Sequence, residues 1–66
     1  MSTVEPKRIN QKVTFAEYCA RCLNAGTMSW LVALKMLTED GWYALRYGAD
    51  GLVGYLDGVR FDIRTT

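Results

Sequence analysis

Asp50-Gly51 and Asp57-Gly58 constrain this chain more than any other feature, because pairing residues 42 to 64 across these two turns sorts nearly every apolar side chain onto one face. Asp-Gly is favoured in two-residue type I′ hairpin loops, where both central residues need positive φ. With Asp57-Gly58 as such a loop, Leu56 falls opposite Val59, Tyr55 opposite Arg60, Gly54 opposite Phe61, Val53 opposite Asp62 and Leu52 opposite Ile63. A four-residue loop at Gly48-Ala49-Asp50-Gly51 then sets Tyr47 against Leu52, Arg46 against Val53, Leu45 against Gly54, Ala44 against Tyr55 and Tyr43 against Leu56. Side chains alternate with period two along a strand. One face therefore carries Tyr43, Leu45, Tyr47, Leu52, Gly54, Leu56, Val59, Phe61 and Ile63, and the other Trp42, Ala44, Arg46, Val53, Tyr55, Arg60, Asp62 and Arg64. The first set reads as a core, and the second as a mixed aromatic and charged surface.

Upstream, the pattern changes to helical spacing. Thr14-Phe15-Ala16-Glu17 matches a capping box, and Phe15, Tyr18, Cys19, Cys22 and Leu23 follow at i, i+3, i+4, i+7 and i+8, which predicts an amphipathic helix stopped by Gly26. Thr27 or Ser29 can cap a second helix that runs to about Thr38 and ends near Glu39-Asp40-Gly41. Its regular stripe is Trp30, Ala33, Leu34 and Leu37 with Leu31 alongside, while Val32 and Met36 fall on the other side with Lys35. Residues 1–12 are polar, hold the only proline and read as a flexible N-terminal arm, leaving residues 13–66 as one small domain. The expected architecture is a two-layer α+β fold, in the order α-α-β-β-β, with a helical hairpin on one face of a three-stranded antiparallel meander.

Composition narrows the function classes. Half of the 66 residues are hydrophobic and 23% are charged, outside the regime of intrinsic disorder, and a net charge of +1 gives no overall basic field for nucleic acid. No apolar run approaches a membrane span or a signal peptide, so the reading is a cytoplasmic protein with no membrane contact. The chain has no histidine, no glycine-rich phosphate cradle and no nucleophile elbow, and Asp50 and Asp57 belong to turns while Glu39-Asp40 ends a helix, which argues against an enzyme. Cys19 and Cys22 lack the further Cys or His that a four-ligand zinc site needs, and a bridge between them would close almost no loop; no metal or cofactor is expected, and both read as reduced, buried cysteines.

What remains is a non-catalytic interaction module that binds a larger protein partner or itself. Size and class, by analogy with phage and mobile-element proteins, suggest an accessory or inhibitory role. If the helices cover one side of the sheet, Trp42, Arg46, Val53, Tyr55, Arg60 and Arg64 face outward as the partner-binding set, rich in the Trp, Tyr and Arg that dominate binding hot spots. Val32, Lys35 and Met36 form a secondary patch, and residues 59 to 64 form an edge open to strand addition. Two short helices about a glycine turn, followed by a hairpin, also resemble the winged-helix DNA-binding motif: Gly26 aligns with the turn glycine and Cys22 with the small-residue position. Arg21 and Lys35 depart from that motif at positions where it buries apolar residues. The resemblance implies a DNA-binding regulator, with nucleic acid as the alternative partner.

Overall fold

A computed structural model describes residues 4–64. Helices α1 (Val4–Ala25) and α2 (Trp30–Glu39) precede strands β1 (Tyr43–Gly48), β2 (Gly51–Leu56) and β3 (Val59–Arg64), which form one antiparallel sheet in the order β1-β2-β3. α1 contacts β2, β3 and α2, whereas α2 contacts α1 and β1. The helices thus form one layer over one face of the meander, the α-α-β-β-β arrangement that the turn pairing predicts.

The β2-β3 hairpin has the expected register at all five predicted pairs, from Leu56 opposite Val59 to Leu52 opposite Ile63, and Gly51 adds a sixth opposite Arg64. Asp57 and Gly58 both take positive φ, at 53° and 79°, as a type I′ loop requires. The β1-β2 loop is tighter than expected, since Gly48 pairs with Gly51 and only Ala49-Asp50 connects them. Gly51 has to be glycine here: its φ is 135°, and a Cβ would collide with the Ile63 carbonyl and come within 2.9 Å of Arg64 Cα.

α1 begins at Val4, so residues 4–12, assigned from sequence to an arm, are helical, while residues 1–3 lie outside the described residues. Pro6 falls in the first turn, where a missing N–H breaks no helical bond. The capping box does not form. Thr14 sits inside the helix and its hydroxyl donates to the Asn10 carbonyl at 2.8 Å, the local back-bond that lets threonine persist in a helix interior. The buried line of α1 is Ala16, Cys19 and Ala20, with Val13 and Leu23 packed beside it, while Tyr18 is 54% exposed. The two alanines, which the larger side chains overshadow in a hydrophobicity pattern, are the residues that fully enclose this helix against its neighbours.

Both helices end alike. Thr27 N–H bonds the Cys22 carbonyl at 2.9 Å and Gly26 N–H the Leu23 carbonyl at 3.2 Å, with Gly26 at φ 78°. Trp42 N–H bonds the Leu37 carbonyl at 3.0 Å and Gly41 N–H the Thr38 carbonyl at 3.1 Å, with Gly41 at φ 108°. Each is a Schellman motif, which turns the residue two past the helix back along the helix face and often buries it there. Between them Ser29 caps α2, its side chain accepting from Val32 N–H at 3.3 Å.

The second Schellman motif overturns one sequence expectation. Trp42 is 1% exposed and lies in the core with Leu37, Leu52, Leu56 and Ile63, so it does not face outward. A β-bulge reconciles this with the strand pairing: Tyr43 pairs with Tyr55 and Arg46 with Val53, leaving Ala44 and Leu45 together opposite Gly54. Pairing below the bulge is as expected, but above it every side chain moves to the other face. Trp42 therefore enters the core, and Tyr43, expected inside, is 49% exposed. Gly54 makes the room, since a Cβ there would lie 2.6 Å from Leu45 Cδ2 and 3.1 Å from Trp42 Cε3. Phe61 meets Trp42 edge to face, with ring centroids 5.5 Å apart and planes at 70°.

Other side chains depart from expectation in smaller ways. Val59, expected in the core, is 53% exposed, and Leu31, expected beside the buried stripe of α2, is 76% exposed. Met36, expected on the outward patch, packs instead against the core.

Ala44 holds the bulge at φ 52°, a left-handed conformation that β-branched residues strongly resist. Ala44→Val should lower unfolding free energy by about 1–3 kcal/mol in urea denaturation, whereas in a regular strand valine would be neutral or stabilising. Trp42→Ala should cost about 3–5 kcal/mol, comparable with the whole stability of a domain this small, and leave a largely unfolded chain by near-UV circular dichroism.

Candidate functional site

The sheet face away from the helices is built from alternate residues of all three strands. Arg46, Val53, Tyr55, Arg60 and Arg64 lie on it as the pairing predicts, joined by Asp62. Trp42 is missing from the predicted set, and the bulge supplies Tyr43 in its place. Tyr43 and Tyr55 stack, with centroids 5.8 Å apart and planes at 24°. Gly58 N–H donates to the Tyr43 hydroxyl at 2.9 Å, so a residue of β1 reaches past β2 to the β2-β3 turn.

A groove of about 440 Å³ runs beside Tyr55, lined also by Ala44, Leu45, Arg46, Val53 and Arg60. A second, of about 250 Å³, lies toward the other end of the hairpin and takes in Asp50, Asp62 and Arg64; Val53 and Arg60 line both. The face carries three guanidinium groups against the carboxylate of Asp62, with Asp50 at its turn end, and Asp62 approaches Arg60 at 3.8 Å with both side chains more than half exposed. A pair so exposed is worth little energetically. Both partners therefore remain available to other charges.

The expected secondary patch is reduced. Val32 is 49% exposed and Lys35 is exposed, but Met36 is drawn inward, and Leu31 takes its place as the most exposed large apolar side chain of α2. The outward surface of this helix is thus Leu31, Val32, Lys35, Thr38 and Glu39, which offers few groups able to read base edges.

A polar cluster lies where α1 crosses the end of α2. Lys12 Nζ donates to the Asp40 carbonyl at 2.8 Å, placing a cation at the negative end of the α2 dipole. Asp40 Oδ2 and Trp42 Nε1 are buried without a hydrogen-bond partner. Cys19 is fully buried nearby, and its thiol is pushed above the ordinary value of 9.0 by burial first, then by the charges of Cys22 and Asp40. The Tyr18 phenol is likewise pushed up, first by its hydrogen bond to Cys22. Both cysteines are unbridged. Among the described residues, no three His, Cys, Asp or Glu side chains gather to hold a metal ion, and no helix is long and apolar enough to cross a membrane.

Comparison with protein-family models, curated proteins and solved structures gives no match.

The cysteine environments predict an ordered reactivity. A thiol-specific disulfide reagent at pH 8 should modify the partly exposed Cys22 in the folded protein and reach Cys19 only at the rate of unfolding, so that urea abolishes the difference. A thiol whose folded pKa is raised contributes stability that is intact below 9.0 and declines as the pH rises above it. Cys19→Ser, which cannot ionise there, should flatten the alkaline limb of the stability profile measured by urea titration between pH 8 and 10.

Proposed function

We propose that the protein is a non-catalytic interaction module whose outer sheet face docks on an acidic surface of a larger protein. The observation that supports this most is the stacked Tyr43-Tyr55 pair set among Arg46, Arg60 and Arg64 on the sheet face away from the two helices, the described elements that pack on the sheet. Tyrosine and arginine are hot-spot residues because each brings broad contact area together with polar groups that fix orientation. The excess of guanidinium over carboxylate selects an acidic counterpart and would steer its approach. An accessory or inhibitory role follows from this reading: the domain acts by covering the surface it binds.

Protein is favoured over nucleic acid by the same geometry. Stacking single-stranded bases requires free aromatic faces, and Tyr43 and Tyr55 turn one face each toward the other. Asp62 also sits within the arginine row, where it would repel a phosphate backbone.

The test is affinity capture from cells of the native host, with Tyr55→Ala, Arg46→Glu and Arg46→Lys compared against the parent. A specific partner should be lost by about thirtyfold or more in the first two variants and largely kept in the third, with unchanged circular dichroism throughout and weaker capture at higher salt. Identical capture by parent and Arg46→Glu would overturn the proposal.

A further inference from the structure

We infer that β3 is a self-pairing edge, through which two copies of this chain join antiparallel into one continuous sheet with Phe61 at the two-fold axis. Self-pairing follows from the edge itself and does not rest on the docking reading of the outer face, although the two share Arg60.

The two sheet edges differ. β1 is interrupted by the bulge at Ala44-Leu45, a device that keeps an edge from pairing. β3 pairs with β2 without interruption from Gly51-Arg64 to Leu56-Val59, and it contains neither proline nor bulge. In a two-residue hairpin the pair flanking the loop is hydrogen-bonded and the bonding alternates from there. Val59, Phe61 and Ile63 therefore direct their backbone groups at β2, and Arg60, Asp62 and Arg64 direct theirs at the open edge.

Charge then selects the register. A two-fold axis normal to the sheet keeps every residue on its own face, so each register is defined by the residue on the axis. With Phe61 on the axis, Arg60 of each copy lies opposite Asp62 of the other, the outward backbone groups of both meet in hydrogen-bonded pairs, and Val59 faces Ile63 across the seam. The loose pair of Arg60 and Asp62 at 3.8 Å within one chain is exchanged for two pairs between chains. Val59, 53% exposed in the single copy, acquires an apolar neighbour. An axis at Asp62 would set Asp62 against Asp62 and Arg60 against Arg64, which like charges oppose. An axis at Ile63 matches Arg64 with Asp62 but leaves Val59 opposite no described residue.

Sedimentation velocity over a concentration series, with circular dichroism to establish folding, tests this with the parent, Arg60→Glu, Asp62→Arg and the double swap Arg60→Asp/Asp62→Arg. The parent should dimerise reversibly. Each single reversal should weaken the dimer by about tenfold or more while the monomer stays folded, and the swap should restore it. A parent that remains monomeric to millimolar concentration overturns the inference, as does a swap no stronger than the single variants. Tighter association of Arg60→Glu, which the axis at Asp62 would favour by setting the introduced carboxylate against Arg64, overturns the register.

Discussion

The bond from Trp42 N–H to the Leu37 carbonyl is the constraint from which the architecture follows. It closes the last turn of α2, reverses the chain through Gly41 and delivers the largest side chain of the core into the space between helices and sheet. Once Trp42 is inside, a strict period of two would place Tyr43 outside, Ala44 inside and Leu45 outside, the opposite of what the hairpin register requires farther along. The extra residue at Ala44-Leu45 absorbs that conflict, and Gly54 opposite it leaves the volume that Trp42 and Leu45 occupy. Helix end, bulge and glycine form one device, each part being of use only with the others.

The β2-β3 hairpin could be read from the sequence because the two-residue Asp57-Gly58 loop fixes its register locally, and a register fixed at the turn propagates along the ladder; in the β1-β2 hairpin the two-residue connection is Ala49-Asp50, which keeps the pairing of Tyr47 with Leu52 that the longer expected loop also gives. The α2 boundaries were legible for a related reason: Ser29 and Gly41 carry conformational preferences that act within a few residues. The placement of Trp42 was not legible in the strand alternation alone. It depends on competition between two local rules, the Schellman rule carried from the helix and the pleat carried from the strand, and alternation counts only the second. The signal was nevertheless present, as a glycine followed by a large apolar residue immediately after a helix. Thr14 misled in the opposite way, since the pattern that caps a helix is equally compatible with an interior threonine bonded back to Asn10.

The same competition explains why the candidate face was only partly foreseen. Arg46 lies below the bulge, and Val53, Tyr55, Arg60 and Arg64 belong to β2 and β3, whose pairing is uninterrupted, so simple alternation holds for all five. The aromatic member nearest α2 lies above the bulge, and there Tyr43 takes the place that alternation gives to Trp42. The exchange replaces an indole by a phenol, so that the face presents two stacked tyrosine rings.

One of those hydroxyls is anchored to the amide of Gly58 at the tip of the neighbouring hairpin. Its ring torsions are thereby lost during folding rather than at encounter, and the entropic penalty of immobilising an aromatic contact residue, about 0.5–1.5 kcal/mol for a flexible side chain, is removed from the docking step. On the docking reading proposed above, a visitor to this sheet would meet a tyrosine already held in place, and slow departure would accompany the arrival that the guanidinium groups steer.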